Sequence, residues 1–563
     1  MRLSLTRAAP ALTLLALLGP VAAGLLGTVA PAFGLLPALG ADELSLDPLR
    51  ALLGWPGLAR AVLLSLFTGL AATALSLALT LLICAGWQGT RPFRALERAL
   101  SPLLSVPHAA AAFGLAFLIA PSGWIARLIA LPLGWDRPPD LLILQDPWGL
   151  SLIAGLVVKE MPFLLLMSLA ALPALRSGQS LATAQALGYG RVSGWVKTVL
   201  PRLYPQIRLP VYAVLAYSLS AVDVAMILGP GTPPPLAVQV LKWMNDPDLA
   251  LRLQAAAGAL LLLGLTLAAL GLWRFGEAAL ARLSARWLVA GGRGHAEPLW
   301  RALGLGLGAL CAALVLLGLA GLAVWSVAGL WRFPELLPQG WSLRSWMRYG
   351  PELLALFGRT LLIAAASSAI AMLLTTACLE AEQRHGLRPG TRALWLLYLP
   401  LLVPQIAFLP GLQVAGLLTG LDGTLAAVIA AHVVFVLPYA FLSLSDPFRA
   451  LDPRYAAVAH ALGKGASATF WRVRLPLLLR PLLTAAAVSA AVSVGQYLPT
   501  LLIGGGRVPT LTTEAVALAS GGDRRVIGVT ALAQTSAAFL PFALALLIPA
   551  LVWRNRRGMR HGA

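Results

Sequence analysis

Charge is scarce in this sequence. Asp, Glu, Lys and Arg make up only 11% of the 563 positions, against about 25% in an ordinary soluble domain. No stretch between the apolar segments could bury a separate core, which excludes a string of soluble domains. Cysteine is nearly absent as well. Cys84, Cys311 and Cys378 all fall inside apolar runs, which argues against a disulfide framework or a Cys-based metal site, and no metal ligand set is expected. The six histidines are scattered, without the nucleophile or carboxylate neighbours that a catalytic constellation needs. A Gly-x4-Gly-Lys-Ser/Thr phosphate loop is also missing, because Gly463-Lys464-Gly465 lacks both the upstream Gly and the hydroxyl residue after Lys. No catalytic residue is therefore expected, and ATP chemistry, if used, belongs to another chain. Gly504-Gly505-Gly506 reads as a turn after an apolar run, as does its counterpart Gly229-Pro230-Gly231.

Acidic residues are the rarer sign, 22 against 42 basic ones, for a net charge of +20. With both termini placed in the cytoplasm the whole basic excess falls on the cytoplasmic side, which is the positive-inside bias of a membrane protein rather than the footprint of nucleic-acid binding. What is abundant is apolar sequence, at 59%. Segments of roughly 20 apolar residues, each able to cross a hydrocarbon core about 30 Å thick, recur along the chain. The expected fold is an all-α polytopic membrane protein. Twelve spans are predicted: 11–36, 59–84, 101–120, 148–172, 206–229 and 253–275 in the first half, then 303–328, 355–379, 393–418, 424–445, 481–503 and 526–552 in the second. Arg2 and Arg7 ahead of an apolar run resemble a signal peptide, but the run continues to about Leu36 and reads as an uncleaved first span.

The two halves repeat each other. Ala182-Thr-Ala-Gln-Ala-Leu187-Gly188 followed by Thr198-Val-Leu200-Pro201 recurs as Ala457-Val-Ala-His-Ala-Leu462-Gly463 followed by Val473-Arg-Leu475-Pro476. Thirteen positions separate Gly from Pro in both copies, and the copies lie 275 residues apart. Val157-Val158 and Pro162-Phe163 match Val433-Val434 and Pro438-Tyr439, while Val106-Pro107 matches Val403-Pro404. Both halves enter the membrane in the same sense, so they are read as parallel modules, 1–290 (core about 57–275) and 291–563 (core about 355–553), about a pseudo-two-fold axis along the membrane normal.

The repeated segment predicts two short cytoplasmic helices joined by a sharp turn. Gly188 and Gly463 end the first helix of each pair in a left-handed conformation that Gly adopts cheaply. Asp452 with Pro453, and Ser180 in the other copy, are expected to start those first helices; Ser467 is expected to cap a second helix. Such an elbow is a good handle for a partner, because little entropy is lost when rigid elements are gripped.

These residues resemble the inner-membrane components of binding-protein-dependent ABC importers of the type I, MetI-like kind. The family signature reads Glu-Ala-Ala, three residues, Gly, nine residues, Ile, one residue, Leu-Pro. Both copies keep Gly, the nine-residue interval and Leu-Pro, while Ala182 and Ala457 stand where the signature has Glu, and Thr198 and Val473 where it has Ile. The resemblance implies a permease whose elbows dock into separate ATPase subunits, two copies being expected, with ATP and Mg bound there, no cofactor on this chain, and solute delivered by an extracytoplasmic binding protein. By similarity the coupling residues are Ala182, Ala184, Leu187, Gly188, Leu200 and Pro201, and Ala457, Ala459, Leu462, Gly463, Leu475 and Pro476. Trp195, Phe470 and Trp471 are candidate anchors on the ATPase or else sit in the membrane interface. Fused two-module permeases of this length are similar to those of thiamine and ferric-iron importers.

Ionisable groups at membrane depth raise a functional hypothesis by default. Lys159, Glu160, Asp223 and His432 qualify, and Gln496 lies near the position equivalent to Asp223. Adjacent residues on a helix point about 100° apart, so Lys159 and Glu160 cannot both face one pore. One arrangement pairs Lys159 with Asp223 and leaves Glu160 facing the cavity; the other makes these groups structural ion pairs or inter-helix hydrogen bonds. An ion-gradient-driven carrier of six plus six helices fits the span count, but it leaves the repeated elbow unexplained.

Overall fold

The computed structural model describes residues 5–37, 40–294, 297–387 and 390–552. Among the described residues β pairing is limited to two isolated bridges, and the architecture is helical. In the first half the principal helices are α1 (Leu5–Ala32), α2 (Leu58–Trp87), α3 (Arg91–Leu103), α4 (His108–Ile119), α5 (Leu150–Ala171), α6 (Ser177–Ala186), α7 (Arg191–Thr198), α8 (Leu200–Ser220), α9 (Asp223–Leu228) and α10 (Leu251–Val289). The second half repeats the order with α11 (Glu297–Ser326), α12 (Arg344–His385), α13 (Thr391–Leu402), α14 (Gln405–Thr419), α15 (Leu425–Arg449), α16 (Arg454–Ala461), α17 (Ala466–Thr469), α18 (Leu479–Val494), α19 (Leu498–Gly504) and α20 (Arg524–Val552).

Nine of the described helices are long and apolar enough to cross a membrane, or up to eleven if two bent pairs are each one span, against the twelve expected. The shortfall has a local cause. The expected span 206–229 is divided into α8 and α9, with Ala221 extended between them and Ser220 Oγ turned back onto Ala216 O at 2.8 Å. Its counterpart 481–503 divides in the same register, between α18 and α19. Proline sets a second symmetric break. Pro107 and Pro404, both with extended backbone, precede α4 and α14, and the α13–α14 pair bends by 88° there. A proline lacks the N–H that would continue the helix and disfavours helical backbone in the residue before it. The expected span 101–120 therefore begins as a membrane helix only at His108.

The first helix of each half packs on the other half. α1 lies against α14, and α11 against α4. Glycines permit both crossings: a Cβ on Gly27 would stand 2.6 Å from Gly411 O, and one on Gly114 2.9 Å from the Gly318 carbonyl carbon. Gly114 and Gly411 occupy equivalent places, since each lies seven residues beyond the proline that starts its helix. Water-driven burial does not operate between spans, so close backbone approach over small residues supplies the packing.

On the face opposite the elbows, Asp146 holds the start of α5. Its carboxylate accepts from Trp148 N (3.1 Å), Leu150 N (2.9 Å), Ser151 N (2.9 Å) and Ser151 Oγ (2.9 Å). Burial pushes this carboxyl up, but those donors outweigh it and hold it below its usual value. A depressed folded pKa contributes stability that is present above the unfolded value of about 3.9 and lost as pH falls through the folded one. Asp146→Ala is expected to cost about 1–2 kcal/mol at pH 7, with the gap from wild type closing below the folded pKa. Thermal unfolding in detergent across that pH range checks this; a gap that persists in strong acid contradicts it.

Candidate functional site

The two elbows share one backbone solution. In the first, Gly188 has φ +82° and donates to Gln185 O (2.9 Å), while Tyr189 N donates to Ala184 O (3.1 Å). In the second, Gly463 has φ +73° and donates to His460 O (2.9 Å), while Lys464 N donates to Ala459 O (3.0 Å). This is the paired-bond Schellman ending of a helix, in which the residue at positive φ is Gly. Ala184 and Ala459 supply the accepting carbonyls, and both are buried. Gly194 packs so closely over Ala184 that a Cβ on it would stand 3.0 Å from the Ala184 methyl, so a small residue is needed there. Pro201 and Pro476 sit in the first turn of the helices that lead back into the membrane, where their missing N–H costs nothing.

Two expected caps are replaced. Ser180 lies inside α6, which begins at Ser177 after Arg176 at φ +48°, and Ser467 lies inside α17. Gly190 and Gly465, both extended, precede α7 and α17 instead. Asp452 does accept from Arg454 N at 2.9 Å, as expected.

Side-chain exposure separates the elbows. Leu187 (63%) and Leu462 (72%) stand out at the two tips, and Ala182 and Ala457 are exposed too. Trp195, an expected anchor, is instead fully buried and donates from Nε1 to Gln88 Oε1 at 2.9 Å. It therefore anchors the elbow to the end of α2 and offers no surface to a partner. Its second-half neighbours differ. Trp471 is exposed, and Phe470, half-buried in a five-residue π-helical turn, meets it edge-on at 5.2 Å. Leu200 and Leu475 are half-buried. Beneath the second elbow, buried Glu380 of α12 binds Arg384 (2.5 Å) and Arg474 (2.8 Å).

At membrane depth the expected pairing of Lys159 with Asp223 does not occur. Lys159 Nζ donates to the carbonyls of Leu103 (3.2 Å), Leu104 (3.2 Å) and Val106 (2.6 Å). The cation thus closes the C-terminus of α3, where the helix dipole and orphan carbonyls favour it. Lys159→Met leaves those carbonyls without a donor and is expected to lower stability by about 1–3 kcal/mol. The expected readout is an earlier melting midpoint for the purified chain; an unchanged midpoint contradicts the capping role.

Glu160 and Asp223 do come together, through residues the sequence reading missed. Glu160 Oε1 meets His108 Nε2 at 3.2 Å, the His108 ring lies 4.9 Å from that of Tyr217, and Tyr217 OH donates to Asp223 Oδ1 at 3.3 Å. Tyr439 and Tyr497 of the second half lie within electrostatic reach of Glu160 and Asp223 respectively. The repeat held a signal for these groups: His108 follows the matched Pro107, and Tyr439 lies within the matched Pro-aromatic pair. His432 stands apart, satisfied by Ser493 Oγ and Thr500 Oγ1, each at 2.8 Å, so it ties α15 to α18 and α19. Gln496 is buried in the break between α18 and α19. Farther toward the face opposite the elbows, a cavity of about 300 Å³ opens between the halves, lined by Phe113, Phe117 and Ile227 from the first and Leu518, Arg524 and Ile527 from the second.

Comparison with known proteins agrees with this geometry. Residues 357–554 match the family described as binding-protein-dependent transport system inner membrane component. The inner membrane ABC transporter permease protein YnjC of Escherichia coli K12 is 34% identical over 539 residues, which covers 93% of this chain and 96% of that protein. Shorter matches include the molybdenum transport system permease protein ModB of Mycobacterium tuberculosis H37Rv, 33% identical over 26% of this chain and 59% of its own length. A further one is the putative 2-aminoethylphosphonate transport system permease protein PhnV of Salmonella typhimurium, 29% identical over 34% of this chain and 71% of its own. A likeness spanning nearly the full length of an ABC transporter permease, joined to the paired elbows, decides against the gradient-driven carrier. The chain belongs to the family of binding-protein-dependent inner-membrane transport components and is a multi-pass transmembrane permease subunit of an ABC importer.

Proposed function

We propose that solute passes between the two halves, along the outer cavity and the Glu160–His108–Tyr217–Asp223 cluster, while two ATPase subunits grip the elbows from the cytoplasm. The observation that carries this reading is the pair of identical Schellman elbows, each hung between two membrane-entering helices and each showing an exposed leucine at its tip. ATP and Mg are bound and turned over on those partners. Both termini lie on the elbow side, and an extracytoplasmic binding protein delivers the solute. Such a partner selects the solute, in keeping with relatives named for molybdenum and for 2-aminoethylphosphonate that each match about a quarter to a third of this chain. Alternating access follows if nucleotide favours one arrangement of the elbows over the other, since only differential affinity shifts a conformational equilibrium.

The test is uptake into membrane vesicles. ATP-driven uptake that persists when an ionophore collapses the ion gradients supports the reading, and uptake abolished by the ionophore with ATP still present contradicts it.

A further inference from the structure

The segment joining the halves is clamped onto the first elbow. α10 ends at Val289 and α11 begins at Glu297, and between them Arg293 O accepts from Gly190 N at 2.9 Å. The Glu297 carboxylate faces the N-terminus of α7, accepting from Val192 N (2.7 Å), Ser193 N (3.0 Å) and Ser193 Oγ (3.0 Å). At the other end of α7, Lys197 Nζ donates to Trp287 O (2.9 Å) and Ala290 O (2.6 Å), and lies 4.6 Å from the centre of the Trp287 ring. Each charge sits where a helix end favours it: an anion on the N–H groups that open α7, and a cation on the carbonyls that close α10.

The second elbow is held differently. Its ion pairs run from Arg474 to Glu380 of α12, within its own half, and among the described residues no side chain of the other half caps α17. The elbows are alike in backbone and unlike in attachment. The helix bearing Glu297 is also the one that crosses α4 at Gly318 and Gly114, so it spans from the first elbow to the outer part of the interface between the halves.

We propose that Glu297 is a positioning residue that makes the first elbow and α11 move as one body, so that displacement of this elbow reaches the second half directly. The proposal rests on the elbows being the sites of ATPase engagement. Without Glu297, α7 loses three hydrogen bonds that it donates to a charged group, each stronger than its neutral equivalent.

The experiment is pulsed electron spin resonance on the chain purified with its ATPase, with Cys84, Cys311 and Cys378 replaced by Ala and nitroxides introduced at the exposed positions Gln179, on α6 away from the tip, and Leu310. With Glu297 present the 179–310 distance is expected to be single and narrow, and the same with and without ATP. Glu297→Ala is expected to broaden it at rest and to introduce a nucleotide-dependent shift, and Glu297→Asp to restore most of the narrow peak. Glu297→Gln, which keeps the shape and loses the charge, serves where the Ala variant folds poorly, with partial broadening expected. A narrow, nucleotide-independent distance in both Glu297→Ala and Glu297→Gln overturns the proposal. A second labelled pair, Gln179 with Arg454, both exposed on the first helices of the two elbows, reports on the distance between the elbows. If it does not respond to ATP in the otherwise unaltered protein, the ATPase reading fails, whereas the clamp is still decided by the resting width of the first pair.

Discussion

Gly188→Pro and Gly463→Pro are each expected to cut ATP-driven uptake by more than tenfold while leaving the chain in the membrane at wild-type amounts. Both glycines hold positive φ, and both donate their N–H to the helix they terminate. Proline fixes φ near −65° and has no N–H, so it fails on both counts, at a cost of about 3 kcal/mol in an ordered helical setting. That exceeds the roughly 1.4 kcal/mol corresponding to a tenfold change in an equilibrium. The damage stays local, because the elbow lies outside the spans: each tip is exposed, α5 and α15 end at Ala171 and Arg449 before the elbows, and α8 and α18 begin at Leu200 and Leu479 after them. Gly188→Ala and Gly463→Ala keep the N–H and retain only the positive-φ strain, about 1–2 kcal/mol, so they are expected to transport at an intermediate rate. Wild-type uptake in both proline variants contradicts the role assigned to the elbows.

A second large effect is expected at the crossings that lace the halves together. Gly411→Leu places a side chain where α1 already touches the backbone of α14, and Gly114→Leu does the same between α4 and α11. Inserting side-chain volume into a packed site costs about 1–3 kcal/mol, and here the obstacle is backbone, which cannot turn aside as a flexible side chain would. Both variants are expected to lower the unfolding midpoint in detergent sharply and to reduce the amount of chain in the membrane. Gly276→Leu is the control: nothing stands within 4 Å of its added Cβ, so the same substitution there leaves the midpoint unchanged. Equal midpoints for Gly411→Leu and Gly276→Leu contradict the exchange of first helices.

The elbows were legible in the sequence because their chemistry is local. A Gly thirteen residues before a Pro, repeated once, specifies a left-handed helix end and a restart, and Gly188 and Gly463 stand in that conformation. Membrane character and the number of segments were legible from hydropathy to within the broken pairs. The breaks at Ala221 and at Gln496 were not, since Ser220, Asp223, Gly495 and Gln496 are isolated polar or small residues within apolar runs, and membrane helices tolerate such residues without stopping. Partner choice at depth was illegible for a similar reason. Lys159 and Asp223 look like a pair when helices are counted by length, but whether they meet depends on how α3 ends, and Val106-Pro107 stops α3 with its carbonyls aimed at Lys159. Trp195 illustrates the converse. Equivalent in position to the half-buried Phe470 of the second elbow, it is fully buried, with its Nε1 donated to Gln88 at the end of α2.

Purification of the tagged chain from membranes that also contain a co-expressed phosphate-loop ATPase asks whether the two elbows are the handles of a separate ATPase. The wild-type chain is expected to retain the ATPase, and Leu187→Asp with Leu462→Asp, which charges both exposed tips without touching the cores, to release it while the chain stays folded. Retention of the ATPase by the double variant, or a wild-type chain that transports with no ATPase bound, would contradict that role.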